Sequence, residues 1–195
     1  MRLFHGFEAL PAFRTPAVTV GSYDGVHLGH RALVKRLVAE ARAGEGESIV
    51  VTFEPHPRIA LGRAEGLRLL TTLDEKAALL EAAGVDNLVV IPFDRAFAAL
   101  SGAEFVERCL VGRLGARTLV AGFNHRFGHD GCDCLSLPPG LIRVVRVDAC
   151  YVDGRRVSST LIRTLLDEGR LAEAERLLGH PATKDRTTAA PVGRP

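Results

Sequence analysis

Two short stretches carry residues able to handle an anion. The first is Gly21-Ser22-Tyr23-Asp24-Gly25-Val26-His27-Leu28-Gly29-His30. His27 and His30 are three residues apart, so both imidazoles fall on one face if a helix starts there. The small Gly29 between them lets a ligand approach the backbone. The second is Ser158-Ser159-Thr160-Leu161-Ile162-Arg163. Its hydroxyls sit where a helix begins, and Arg163 follows as a planar fork of N–H donors. A helix start presents unpaired N–H groups and the positive end of the dipole, which favours negative charge. Together the two stretches suit phosphate groups. Taken singly, each also reads as something plainer: a surface histidine pair capping a helix, or a serine-capped helix with a surface arginine.

The elements that would position these residues follow from hydrophobic period. Ala17–Val20 is β-branched and apolar, as in a buried strand, and Gly21 and Gly25 then allow a sharp turn. Leu33, Val34, Leu37, Val38 and Ala41 recur at helical spacing. Further strands are expected at 48–53, 87–91, 117–121 and 141–147, with a small edge near Tyr151 and 155–157. The segment before Ala17 reads as a short strand or loop. Helices are expected at 73–83, capped by Thr71 or Thr72, from Ser101 with Glu104 as a capping box to about Leu114, and at 160–167 and 171–178. Pro55 and Pro57 argue against a helix in the Glu54–Arg58 loop. Strands alternating with helices predict an α/β fold, a Rossmann-like doubly wound parallel sheet of about five strands. Its ligand loops then gather on one edge: 21–30, 54–58, 122–133 and 158–163.

The His-x-Gly-His signature resembles that of the nucleotidylyltransferases. With Thr52-Phe53-Glu54-Pro55-His56-Pro57-Arg58, Arg126-Phe127-Gly128 and Val157 to Arg163 following in order, residues 10–181 resemble the FMN adenylyltransferase (FAD synthetase) module of the bacterial bifunctional riboflavin kinase/FAD synthetases. The resemblance implies a flavin-handling transferase that moves AMP from ATP to FMN with Mg2+, giving FAD and pyrophosphate. It implies catalytic roles for His27, His30 and Arg163. It implies ATP contacts from Gly21, Ser22, Tyr23, Asp24, Gly25, Gly29, Ser158, Ser159 and Thr160. Flavin contacts would come from Thr52, Phe53, Pro55, His56, Pro57, Asn124, Arg126, Phe127 and Gly128. His56 also reads as a histidine merely held between prolines, and Arg126 with Phe127 as a loop anchor. No magnesium ligand is named by the sequence; Asp24 is as well explained as a turn stabiliser. Other readings are a nucleotidylyltransferase for another phosphate acceptor, or a flavin- or nucleotide-binding module without catalysis.

Three departures from the family pattern stand out. Tyr23 replaces the usual Phe. The loop His129–Cys134 lacks the expected basic residue and Gly-Asp ending. No riboflavin kinase domain is expected after Pro181. His129, Cys132 and Cys134 with Asp130 and Asp133 read as free thiols in a loop rather than a metal site, since Cys-x-Cys is not a usual zinc spacing.

Of 195 residues, 47% are hydrophobic and 25% charged, an ordinary globular balance, and the net charge of +2 predicts no nucleic-acid partner. No apolar run could span a bilayer and the first residues lack a signal-peptide core, so a cytoplasmic protein without a membrane partner is expected. Residues 1–181 are expected to form one domain, with 182–195 a disordered tail. Oligomeric state is not legible.

Overall fold

The computed structural model describes residues 1–182. The expected tail from 183 onward lies outside the described residues. In chain order the elements are β1 (Arg2–His5), β2 (Ala17–Val20), α1 (Leu28–Ala43), β3 (Ser48–Glu54), α2 (Pro57–Ala60) and α3 (Leu73–Ala82). Next come β4 (Asn87–Pro92), α4 (Arg95–Ala98), α5 (Gly102–Glu104) and β5 (Thr118–Gly122). The strand pairs β6 (Arg126–Phe127) with β7 (Cys132–Asp133), and β9 (Tyr151–Val152) with β10 (Arg155–Arg156), flank β8 (Arg143–Val147). The helices α6 (Ser159–Asp167) and α7 (Leu171–Leu178) complete the fold.

The main sheet has six parallel strands in the order β1-β4-β3-β2-β5-β8. The sixth strand is the lead-in segment, which pairs Arg2 to His5 with Asn87 to Val90. It is an edge strand whose residues are mostly exposed, so it carries no buried apolar run. The central strands are buried on both faces, and this is why they read as continuous apolar runs. Val18, Val20, Ile49, Val51 and Leu119 face one layer, with Val106 and Leu110 packed on them. Ala17, Val50, Leu88, Val90 and Val120 face the other, against Val34 and Leu37 of α1 and Leu80 of α3. Helices α6 and α7 close on each other through Ile162, Leu165, Ala174 and Leu177.

Caps settle most of the helix starts. Thr72, not Thr71, caps α3 in a reciprocal capping box with Glu75. Ser101 and Glu104 form the expected box at α5, but the helix then widens into a π-helix over Phe105–Val111 instead of running on as an α-helix to Leu114. The prolines do not exclude a helix after β3: Pro57 occupies the first turn of the short α2, where a missing N–H costs nothing, and His56 caps it. No helix among the described residues is long and apolar enough to cross a membrane.

Strand order reverses at β2, whose neighbours are β3 on one side and β5 on the other. Outside the carboxyl ends of β2 and β5 is where an open α/β sheet forms a crevice.

Candidate functional site

The turn leaving β2 is held under strain and braced from behind. Tyr23 and Val26 both have positive φ, 48° and 36°, and Gly25 lies at 86°. Positive φ is costly for a β-branched valine and cheap for glycine. The Tyr23 ring is buried, and its hydroxyl pairs with Thr19 Oγ1 at 2.7 Å. Burial pushes that hydroxyl's pKa up, so it stays protonated. The Asp24 carboxylate accepts the Leu70 and Thr71 N–H groups at 2.7 and 3.1 Å. The Gly25 N–H donates to Thr71 Oγ1 at 3.0 Å, and the His180 ring donates from Nε2 to the Gly25 carbonyl at 2.8 Å.

His27 is the N-cap of α1, one position earlier than a residue inside the helix. Its Nδ1 accepts the His30 N–H at 3.3 Å. A neutral His27 ring therefore carries its proton on Nε2. The two imidazoles stack, centroids 3.6 Å apart and planes 13° from parallel. A Cβ on Gly29 would stand 3.2 Å from the His27 ring atoms. The small residue between the histidines thus leaves room for the His27 ring. Burial, with the nearby Arg163 charge, lowers the His27 pKa to about 4. His30 is held well below its usual value by burial, with the charges of His27 and Lys76 adding to it. Its Nδ1 is buried with no hydrogen-bond partner among the described residues. Near neutral pH both rings are neutral hydrogen-bonding groups, not cations.

The second helix start arrives at the same place. Ser158 caps α6 and accepts the Leu161 N–H at 3.2 Å. Ser159 Oγ donates to the Asp24 carbonyl at 3.0 Å. Arg163 does not project an open fork. Its Nη2 pairs with the Asp24 carboxylate and its Nε donates to the Arg68 carbonyl at 2.6 Å. Asp24 is thereby spent on two N–H groups and one guanidinium, which favours the turn-stabilising reading over the magnesium one.

Between the two helix starts lies a cleft of about 350 Å³ at the strand-order reversal. Nine of the residues expected from sequence line it: Gly21, Ser22, Tyr23, His27, Gly29, His30, Asn124, Ser158 and Ser159. Asp24, Gly25, Thr160 and Arg163 are not on its wall. The wall also includes Phe123, His125, Asp148, Cys150 and Arg156, which sequence reasoning missed. Arg156 sits over the Phe123 ring at 5.6 Å and has no ion-pair partner among the described residues. Its nearest signal was position, two residues before the capping serine. The His125 ring lies 4.4 Å from Phe127, and burial lowers its pKa to about 4.

Apart from Asn124, the expected flavin residues lie off that wall. Thr52 Oγ1 donates to the Ser22 carbonyl at 3.2 Å. Phe53 packs on Phe93 and Phe97 at 5.2 and 5.8 Å. His56 accepts the Arg58 N–H on Nδ1 at 3.2 Å, between Pro55 and Pro57. Arg126 donates to the Gly131 carbonyl at 3.0 Å, Phe127 is buried, and Gly128 bridges to Ser101. Cys132 and Cys134 are free thiols. The acids beside them bind backbone: Asp130 accepts the Gly102 N–H and Asp133 the Leu135 N–H, each at 2.9 Å.

A model of the FAD synthetase family matches residues 11–161. A bifunctional riboflavin kinase/FMN adenylyltransferase of Listeria monocytogenes is 36% identical over 175 residues, covering 87% of this chain and 55% of that protein. A putative bifunctional riboflavin kinase/FMN adenylyltransferase of Geobacillus thermodenitrificans is 36% identical over 166 residues, covering 84% of this chain and 89% of that protein. The chain thus spans about half the length of the Listeria relative. Among solved structures, a Streptococcus pneumoniae protein named as a macrolide-efflux protein superposes with a TM-score of 0.83 at 27% identity, covering 93% of this chain and 61% of that one.

Proposed function

The chain belongs to the FAD synthetase family, and from that premise we propose that it transfers AMP from ATP to FMN, yielding FAD and pyrophosphate. The observation that carries this reading is the meeting of two helix starts, α1 and α6, on one cleft at the strand-order reversal. A phosphate oxygen of FMN attacks the α-phosphorus of ATP. The bond from that phosphorus to the bridging oxygen breaks, and pyrophosphate leaves with the bonding electrons. Such a transfer needs in-line positioning and donors aimed at the charge that develops.

The geometry supports the following roles. His27, with its proton on Nε2, donates to the oxygens of the α-phosphate, and His30 supports it from the first turn of α1. Ser158, Ser159 and the N–H groups of α6 receive the outer phosphates. Arg156 supplies the open guanidinium that the sequence reading assigned to Arg163, while Arg163 and Asp24 lock the two helix starts in register. Thr52, Phe53, His56, Asn124 and Phe127 form the flavin side.

Among the described residues no cluster of His, Cys, Asp or Glu could hold a metal ion. Magnesium takes phosphate and water oxygens readily, so it fits as a passenger on the ATP phosphates, neutralising their charge. The four free cysteines suit a reducing, cytoplasmic setting.

The test is incubation with FMN, ATP and magnesium. FAD formation is followed by loss of flavin fluorescence and by pyrophosphate release. Absence of both overturns the assignment.

A further inference from the structure

Lys76 is a buried cation, 5% exposed, on α3 beneath the turn. Its Nζ donates to Thr52 Oγ1 at 3.3 Å, its single hydrogen-bond partner among the described residues. No carboxylate of the described residues is in ion-pair contact with it. The two whose fields reach it are Asp24 and Glu54. Asp24 is spent on Arg163 and two N–H groups, and Glu54 is exposed at the end of β3. A buried ammonium with one neutral partner and two idle donors is costly to keep. Its cost falls when an anion binds nearby.

We propose that Lys76 is the positioning residue for the phosphate of the flavin acceptor, acting across the Thr52 hydroxyl. The inference rests on the function proposed above. The acceptor phosphate is chosen over ATP because Lys76 reaches β3, which runs on into Pro55–Pro57, and not β5 or α6. Its field is felt at His56 on that side as well as at His30. A phosphomonoester carries close to two negative charges at neutral pH. When one of its oxygens bonds to the α-phosphorus, the negative charge on the acceptor phosphate falls. Lys76 therefore holds the substrate at least as tightly as the transition state, and its loss raises KM for FMN without lowering kcat.

The experiment compares FMN with riboflavin, which lacks the phosphate, by fluorescence titration of the full chain without ATP. The wild type is expected to bind FMN more tightly. Lys76→Met removes the charge at similar volume and is expected to shrink that preference by about thirtyfold or more. Riboflavin affinity and KM for ATP stay unchanged. Lys76→Gln keeps a donor for Thr52 and is the second variant should the first not fold. The wild type itself gives an independent readout, because the chain has only three lysines, at 35, 76 and 184. With 13C at lysine Cε, the Lys76 resonance is expected to move on adding FMN and not on adding riboflavin. A wild type without preference for FMN, variants that keep the preference or lose riboflavin equally, or a resonance indifferent to the phosphate each overturn the proposal. A wild type that forms no FAD overturns the assigned reaction instead, and one that forms FAD with an indifferent Lys76 overturns only this inference.

Discussion

The Asp24 carboxylate grips the Arg163 guanidinium, tying the turn after β2 to a helix 139 residues further along the chain. Both side chains are largely buried, at 3% and 15% exposure. Removing one partner leaves the other charged and poorly solvated. Arg163→Ala and Asp24→Ala are each expected to cost about 3 kcal/mol of stability. The double variant should cost clearly less than the sum. Urea denaturation of the three proteins measures this, and strictly additive losses would show that the pair is not coupled.

His27→Ala and His30→Ala are expected to lower kcat by about two to three orders of magnitude, the usual effect of losing one donor to a developing charge. Single-turnover mixing with saturating ATP and FMN reads the chemical step directly. Unchanged rates in both would remove the histidine pair from the reaction.

Arg156→Ala is expected to weaken ATP by about ten- to a hundredfold, the range for a hydrogen bond to a charged group. Isothermal titration with a non-hydrolysable ATP analogue checks it. FMN affinity should be unaffected.

Acid should weaken the fold before it protonates the carboxylates. The His27 and His125 pKa values are lowered to about 4 in the folded chain. In the unfolded chain they return to about 6.5. The unfolded state then binds more protons between those values, so stability is full above about pH 6.5 and falls as the pH drops toward 4. His125→Phe removes one such imidazole beside Phe127 and is expected to flatten that loss. Melting temperatures at pH 7 and pH 5 report it, and an equal drop in both proteins would contradict the assignment.

EDTA is expected to stop FAD formation without changing the melting temperature of the free protein, because no cluster among the described residues could hold a structural ion. A fall in melting temperature on chelation would reveal such an ion.

The strands at the centre of the sheet were legible because both of their faces are buried, leaving apolar runs such as Ile49–Phe53. The lead-in segment was legible only as a strand or a loop, because an exposed edge strand has no such run. Caps announced α3, α5 and α6 through hydroxyl and carboxylate spacing, whereas the widening at Phe105–Val111 has no comparable marker. The His27–His30 turn and Ser158–Ser159 could be paired from sequence since both are helix starts with phosphate chemistry. The destination of Arg163 could not, since its partner depends on a contact with Asp24 that no local pattern encodes. His125 escaped notice as a single residue in a connection, and Arg156 because its strand of two residues is too short to show a period.

His180 follows the end of α7 and still reaches the Gly25 carbonyl. Arg31, in the first turn of α1, meanwhile binds the Gly179 carbonyl at 3.0 Å. The segment after α7 is thus tied by two hydrogen bonds to the turn and helix start that carry His27 and His30. The Ala182 N–H in turn donates to Glu175 at 3.0 Å, so the end of α7 is anchored on both sides and braces the cleft from a position off its wall.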